Sequence, residues 1–187
     1  MPIQIGRKTH DFSDPTGLLS DCHRRIEMFL GSLEAVADVI DRPASEGTRQ
    51  GLEIALQYFS RAAPKHTADE EVSLFPRLRQ NQDPEVQSSF SQLDRLEDEH
   101  RWAAPLHAEV ELLGEKYLLS GSLSGAEVEK FRNAVAALAS LYKRHITVED
   151  TVIFPLAARL LTQMEKMEVA EEMAERRDLV SVAQTDL

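Results

Sequence analysis

The sequence predicts an all-α protein, an antiparallel up-down-up-down four-helix bundle with an extra C-terminal helix. Three observations lead there. Apolar residues recur at three- and four-residue spacing along four long segments, giving each one apolar face. No segment sustains the period-two alternation of β-branched residues that marks a strand. Glycine and proline are few, eight of each in 187 residues, and short stretches such as DRPASEG, NQDPE and SGSLSG separate the segments. Four amphipathic helices joined by short loops bury their apolar faces by packing side by side.

Taken in order, residues 1–13 read as an irregular arm. The bundle spans 14–160. Its first helix opens at Asp14-Pro15, an N-cap followed by proline in the first turn, and runs to about Ile40. Its stripe is Leu19, Ile26, Leu30, Leu33, Ala37 and Ile40, and the gap in that stripe holds His23. The second helix runs from about Ser45 to Leu78, with stripe Leu52, Leu56, Phe59, Ala63, His66, Glu70 and Leu74. Pro64 is expected to kink or split it, and Pro76 lies near its end. The third runs from about Pro84 to Leu119 along Leu93, Leu96, His100, Ala103, His107, Val110 and Tyr117, with a bend expected at Pro105. Ser124 and Glu127 form a capping box for the fourth. Its stripe is Phe131, Val135, Leu138, Leu141, His145, Glu149 and Val152, with Pro155 after it. Residues 161–187 form a C-terminal helical extension, whose charged, helix-prone stretch 163–178 reads as a fifth helix outside the bundle or as a frayed tail.

Composition narrows the classes of function. An apolar fraction of 42% suffices for a core, and a net charge of −11 argues against nucleic acid and anionic membrane surfaces as partners. No apolar run approaches the length of a membrane span, and MPIQIGRKTH lacks the apolar stretch of a signal peptide. The single cysteine, Cys22, cannot form an internal disulfide, so a cytoplasmic setting is expected.

The sharpest feature is an internal repeat. HTADEEVSLFP at 66–76 returns as HITVEDTVIFP at 145–155, both reading H-x-x-x-E-acid-x-x-x-F-P. DCHR at 21–24 returns as DEHR at 98–101. The first pair is offset by 79 positions (66 to 145) and the second by 77 (23 to 100), so both motifs repeat at nearly one spacing. Each half is a helix bearing one His followed by a helix bearing His-x-x-x-Glu. Two such hairpins packed about a pseudo-twofold axis would face His23, His66, Glu70, His100, His145 and Glu149 into one core.

Six polar groups on core-facing stripes are costly if left bare, on the order of a few kcal/mol each. His and Glu at i and i+4 lie about 40° apart on a helix, one turn up, so both reach one ion. Imidazole with carboxylate suits iron, zinc or manganese. With both glutamates bridging, each of two ions would receive two His and two carboxylate oxygens. That leaves room for a shared oxo or hydroxo ligand and an open position.

Other polar residues carry weaker signals. His107 lies roughly 10 Å along the axis from His100, and reads as a partly buried, hydrogen-bonded His or as one lining a cavity near the metals. Tyr142 could donate a hydrogen bond there or simply pack. Glu71 and Asp150 point about 100° away from the metal-facing direction, as solvated charges or as partners of the ligands. Cys22 reads as a structural thiol, His10 carries no signal, and DRLEDE at 94–99 reads as a mostly solvated face.

These motifs, in combination, resemble the hemerythrin-like, HHE cation-binding family over roughly residues 15–160. The carriers are His23, the His66 and Glu70 of HTADEEVSLFP, the His100 of EDEHR, and the His145 and Glu149 of HITVEDTVIFP. The resemblance implies an antiparallel four-helix bundle with two non-haem iron ions bridged by two carboxylates. It implies a protein that binds or senses a small diatomic ligand such as oxygen or nitric oxide. It also admits iron storage or delivery, iron-sulfur-cluster repair, or a di-iron oxidase or peroxidase. A non-enzymatic role is favoured, because ferritin-like oxidases use Glu-x-x-His and more carboxylates. Oxygen-carrying members have a second His one turn after the helix-three His, and here that position is Ala104. The four-His, two-Glu set looks more like the cluster-repair proteins and the wider bacterial group, without the repair proteins' cysteine-bearing N-terminal domain.

Overall fold

The computed structural model describes residues 10–179. Residues 1–9 of the expected arm and 180–187 of the expected extension lie outside the described residues. Every regular element among the described residues is helical.

The first helix, α1 (Pro15–Ala37), starts where the N-cap predicts. The Asp14 carboxylate accepts from the Gly17 amide at 2.9 Å, and Pro15 occupies the first turn. It ends three residues short of expectation, although Ile40 still buries into the core from the following turn. The second long segment is divided. Helix α2 (Glu46–Arg61), capped by Ser45, gives way at Ala62 to α3 (Ala63–Ala68). Pro64 has no N–H for the preceding turn and fits without strain in a helix's first turn, which is where it stands as the helix restarts at Ala63.

A wider π-helical turn, π1 (Asp69–Leu74), follows, and then α4 (Phe75–Gln80). The fourth segment repeats this: α7 (Gly125–Val148), π2 (Glu149–Ile153) and α8 (Phe154–Leu160). Pro76 and Pro155 each stand just past the π turn. A proline ring clashes with the carbonyl four residues back, and a wider turn moves that carbonyl aside. Pro155 therefore sits in the first turn of a continuing helix rather than after its end. The wider turn also corrects the predicted stripe: Val152 is 36% exposed, and Ile153 is buried in its place.

The third segment begins with a separate turn, α5 (Pro84–Ser88), and continues as α6 (Phe90–Ser120), which runs unbroken through Pro105. Gly121, at φ +76°, closes α6 in the left-handed conformation that glycine adopts without strain. The capping box of Ser124 and Glu127 forms at the start of α7. A second box, Thr162 with Glu165, starts α9 (Gln163–Glu175).

Helix α6 packs on α2 and α7, and α1 packs on the same two helices from the other side. The core is divided in two. One apolar cluster includes Ile26, Leu33, Phe59, Val110, Phe131 and Tyr142. The other includes Leu19, Leu74, Phe75, Leu93, Ile153 and Phe154. Helix α9 joins the second cluster through Val169 and Met173, so the extension is docked by a buried face rather than frayed. Its end is tied down by Arg176 and Arg177, which both bond the fully buried Asp69. No described helix is long and apolar enough to cross a membrane.

Candidate metal centre

Between the two apolar clusters lies a polar layer. It contains all six residues singled out by the repeat: His23 from α1, His66 from α3, Glu70 from π1, His100 from α6, His145 from α7 and Glu149 from π2. Each side chain there is buried or nearly so, with His100 the most accessible at 8%.

All four imidazoles turn Nε2 inward, and each glutamate spreads its two oxygens over two of them. The Glu70 Oε1 lies 3.1 Å from His66 Nε2, and its Oε2 lies 3.5 Å from His100 Nε2. The Glu149 Oε2 lies 3.1 Å from His23 Nε2, and its Oε1 lies 3.2 Å from His145 Nε2. Two overlapping groups of possible ligand atoms result, each within 4.8 Å of one another. One is His23, His66, Glu70 and Glu149; the other is Glu70, His100, His145 and Glu149. The two carboxylates belong to both groups.

A test of fit comes from the polar atoms themselves. His23 Nε2 and all four oxygens of Glu70 and Glu149 are buried without a hydrogen-bond partner among the described residues, although they lie close to one another. Buried polar groups are paired in native structures. Their charge preferences also conflict. Burial, with Glu149 alongside, drives the Glu70 carboxyl toward its neutral form. Burial pushes Glu149 the same way, but His145 and His23 outweigh it and hold Glu149 below the usual carboxylate range. Burial pulls the His23 imidazole down, yet Asp150 and Glu149 lift it to about 9. His66 and His100 are pushed down, chiefly by burial and then by neighbouring histidines. Divalent cations between these nitrogens and oxygens would satisfy the orphaned atoms and remove the conflict. The donor set fits the metals that imidazole and carboxylate hold.

The outward ring nitrogens find their own partners. His23 Nδ1 lies 2.8 Å from Asp150, His100 Nδ1 2.8 Å from Glu71, and His145 Nδ1 3.1 Å from Glu99. Of the two readings open for Glu71 and Asp150, the structure selects partners of the histidines. Glu99 corrects the reading of DRLEDE as a solvated face. Glu99 is only 2% exposed, with Arg95 on its other oxygen. Its signal was its place directly before His100 in DEHR, one helix position away from the solvated face.

The remaining candidates lie near the layer. His107 Nε2 and the Tyr142 hydroxyl share a hydrogen bond at 2.9 Å, and burial pushes the His107 imidazole down to about 4. These two residues, with Phe59, Ala63, His100 and Ala104, line a cleft of about 280 Å³ that reaches His100. Cys22 is buried on another face, 2.9 Å from an Arg25 guanidinium nitrogen. His10 pairs with Asp14 and Asp21 at the start of α1, away from the layer.

Comparison with known proteins agrees with this geometry. The family model described as Hemerythrin HHE cation binding domain matches residues 14–157. A Haemophilus influenzae protein, described as an uncharacterized protein, is 27% identical over 169 residues, covering 90% of this chain and 92% of its own.

Proposed function

The chain belongs to the hemerythrin HHE cation-binding domain family, and from that premise we propose that it is a non-haem di-iron protein that binds or senses a small diatomic ligand. Oxygen and nitric oxide are the ligands that suit it. On this reading residues 14–160 form an antiparallel four-helix bundle, and 161–187 an extension docked on it by α9. His23 and His66 would hold one ion and His100 and His145 the other, with Glu70 and Glu149 serving both.

The observation that carries the ligand-binding reading is the cleft. It is largely apolar, reaches His100 and gives a diatomic molecule ample room to approach that histidine. The bound irons would supply an electron-rich centre with a free coordination position. The chain's own residues do the rest. Phe59, Ala63 and Ala103 keep the approach apolar. The Tyr142 hydroxyl, held by His107, places one hydrogen-bonding group on an otherwise apolar wall. Burial and the nearby Glu70 and Glu149 raise Tyr142 well above its usual range, so its hydroxyl stays protonated and uncharged.

The test is spectroscopic. Protein loaded with ferrous iron under anaerobic conditions is expected to gain a visible absorption band on exposure to oxygen or nitric oxide. The band should disappear when the gas is removed, with iron retained. Release of ferric iron would favour iron storage or delivery, and sustained consumption of a reductant would favour an oxidase. Stoichiometric zinc with no iron, in protein from iron-replete cells, would contradict the proposal.

A further inference from the structure

The internal repeat allows the two metal positions to be compared residue by residue. His23 corresponds to His100, His66 to His145, Glu70 to Glu149, and Glu71 to Asp150. All four pairs match in chemistry. The pair directly before the first histidine does not, because Cys22 stands where the second half has Glu99.

The mismatch has a structural consequence. Glu99 accepts from Nδ1 of His145. Cys22, its counterpart, instead meets the Arg25 guanidinium, and Nδ1 of His66 is buried with no hydrogen-bond partner among the described residues. Of the four imidazoles in the layer, three are backed by a carboxylate and His66 is not.

A carboxylate behind Nδ1 fixes the proton there, frees the Nε2 lone pair and raises ligand basicity. His66 has no such bias. Its Nε2 lies 3.1 Å from Glu70 Oε1, an acceptor that favours a proton on the inward nitrogen. A cation binding there must displace that proton, whereas at His145 the carboxylate of Glu99 already competes for it.

The surrounding charge runs the same way. Behind the first position, Asp150 is shared with Arg24 and Ser20 as well as His23. Behind the second, Glu71 bonds His100, and Glu99 meets the largely exposed Arg95 besides His145.

We propose that the two metal positions are unequal by construction. The position of His100 and His145 binds a divalent cation more tightly than that of His23 and His66, and Glu99 is the positioning residue that makes it so. This rests on the metal-binding reading above.

The test is a cobalt(II) titration of the full-length, chelator-treated protein, followed by calorimetry and by the visible bands of the bound ion. The wild type is expected to fill in two steps separated by about 10-fold or more. Glu99→Gln keeps the shape and removes the charge. It should weaken the tighter step by about 10–100-fold and leave the looser step unmoved. Cys22→Glu supplies the missing carboxylate and should tighten the looser step; if it does not fold, the Glu99→Gln result decides alone. Two wild-type steps of equal affinity, or a Glu99→Gln effect on both steps or on the looser one, would overturn the inference while leaving the metal site standing. Absence of any cobalt binding would overturn both.

Discussion

Asp150 accepts a hydrogen bond from Nδ1 of His23 at 2.8 Å, across 127 positions of sequence. Asp150 adjoins Glu149, so the acid after the second inward-facing glutamate steadies a histidine of the first half. The first half returns the contact, since Glu71 adjoins Glu70 and bonds His100 at 2.8 Å. Each half thus orients a histidine of the other. The π turns make this possible, because a wider turn lets Glu70 face inward while Glu71 reaches across to the neighbouring helix.

This exchange predicts that Asp150→Asn and Glu71→Gln each weaken metal binding by about 10–100-fold, with the fold intact. Chelator competition with cobalt(II) measures it. Wild-type affinity in both variants would mean that the cross-bonds do not orient the ligands.

The pair of His107 and Tyr142 predicts a pH effect. Burial holds the folded His107 at about 4, below its unfolded value of about 6.5. Between those values the unfolded chain binds the extra proton, so this group's stabilisation is lost as pH falls from about 6.5 to about 4. The loss is on the order of 3 kcal/mol. In urea unfolding of metal-free protein, His107→Gln should therefore lose less stability than wild type between neutral pH and pH about 4.5. Equal losses would contradict the assignment.

The C-terminal helix is expected to act on the site through Asp69. This carboxylate is fully buried one residue before Glu70, and Arg176 and Arg177 are its cationic partners. Removing both guanidiniums strands a buried charge at a cost of about 3 kcal/mol. The double variant Arg176→Ala/Arg177→Ala should melt roughly 6–12 °C lower. Arg176→Ala alone should cost less, because Arg177 contacts both oxygens. Unchanged melting in the double variant would show the pair to be idle.

The cleft gives a kinetic prediction. Ala104 lies at its exposed edge, beside His100 and His107. Ala104→Phe should slow binding of nitric oxide to the iron-loaded protein about 10-fold or more, with iron content unchanged. An unaltered rate would mean that the ligand enters elsewhere.

The helical class, both expected caps and all six inward-facing residues could be read from the sequence, because each depends on local spacing. Asp14, Ser124 and Glu127 cap where capping chemistry predicts. His23, His66, Glu70, His100, His145 and Glu149 sit on stripes that the apolar pattern marks. What escaped depends on the departure from regular α-helix. The π turns moved Val152 out of the core and Ile153 in, and the repeated Phe-Pro was their only local trace. Glu99 and Asp69 escaped because an acid in an acidic helix looks solvated. Their burial is decided by His145 and by Arg176 and Arg177, far away in sequence.

The central claim is that Glu70 and Glu149 each serve both metal positions. Iron content per chain, measured after anaerobic loading and desalting, tests it most directly. The account predicts two ions for wild type and fewer than one for folded Glu70→Ala or Glu149→Ala, since either change removes an oxygen from both groups. Two retained ions in either variant would contradict it.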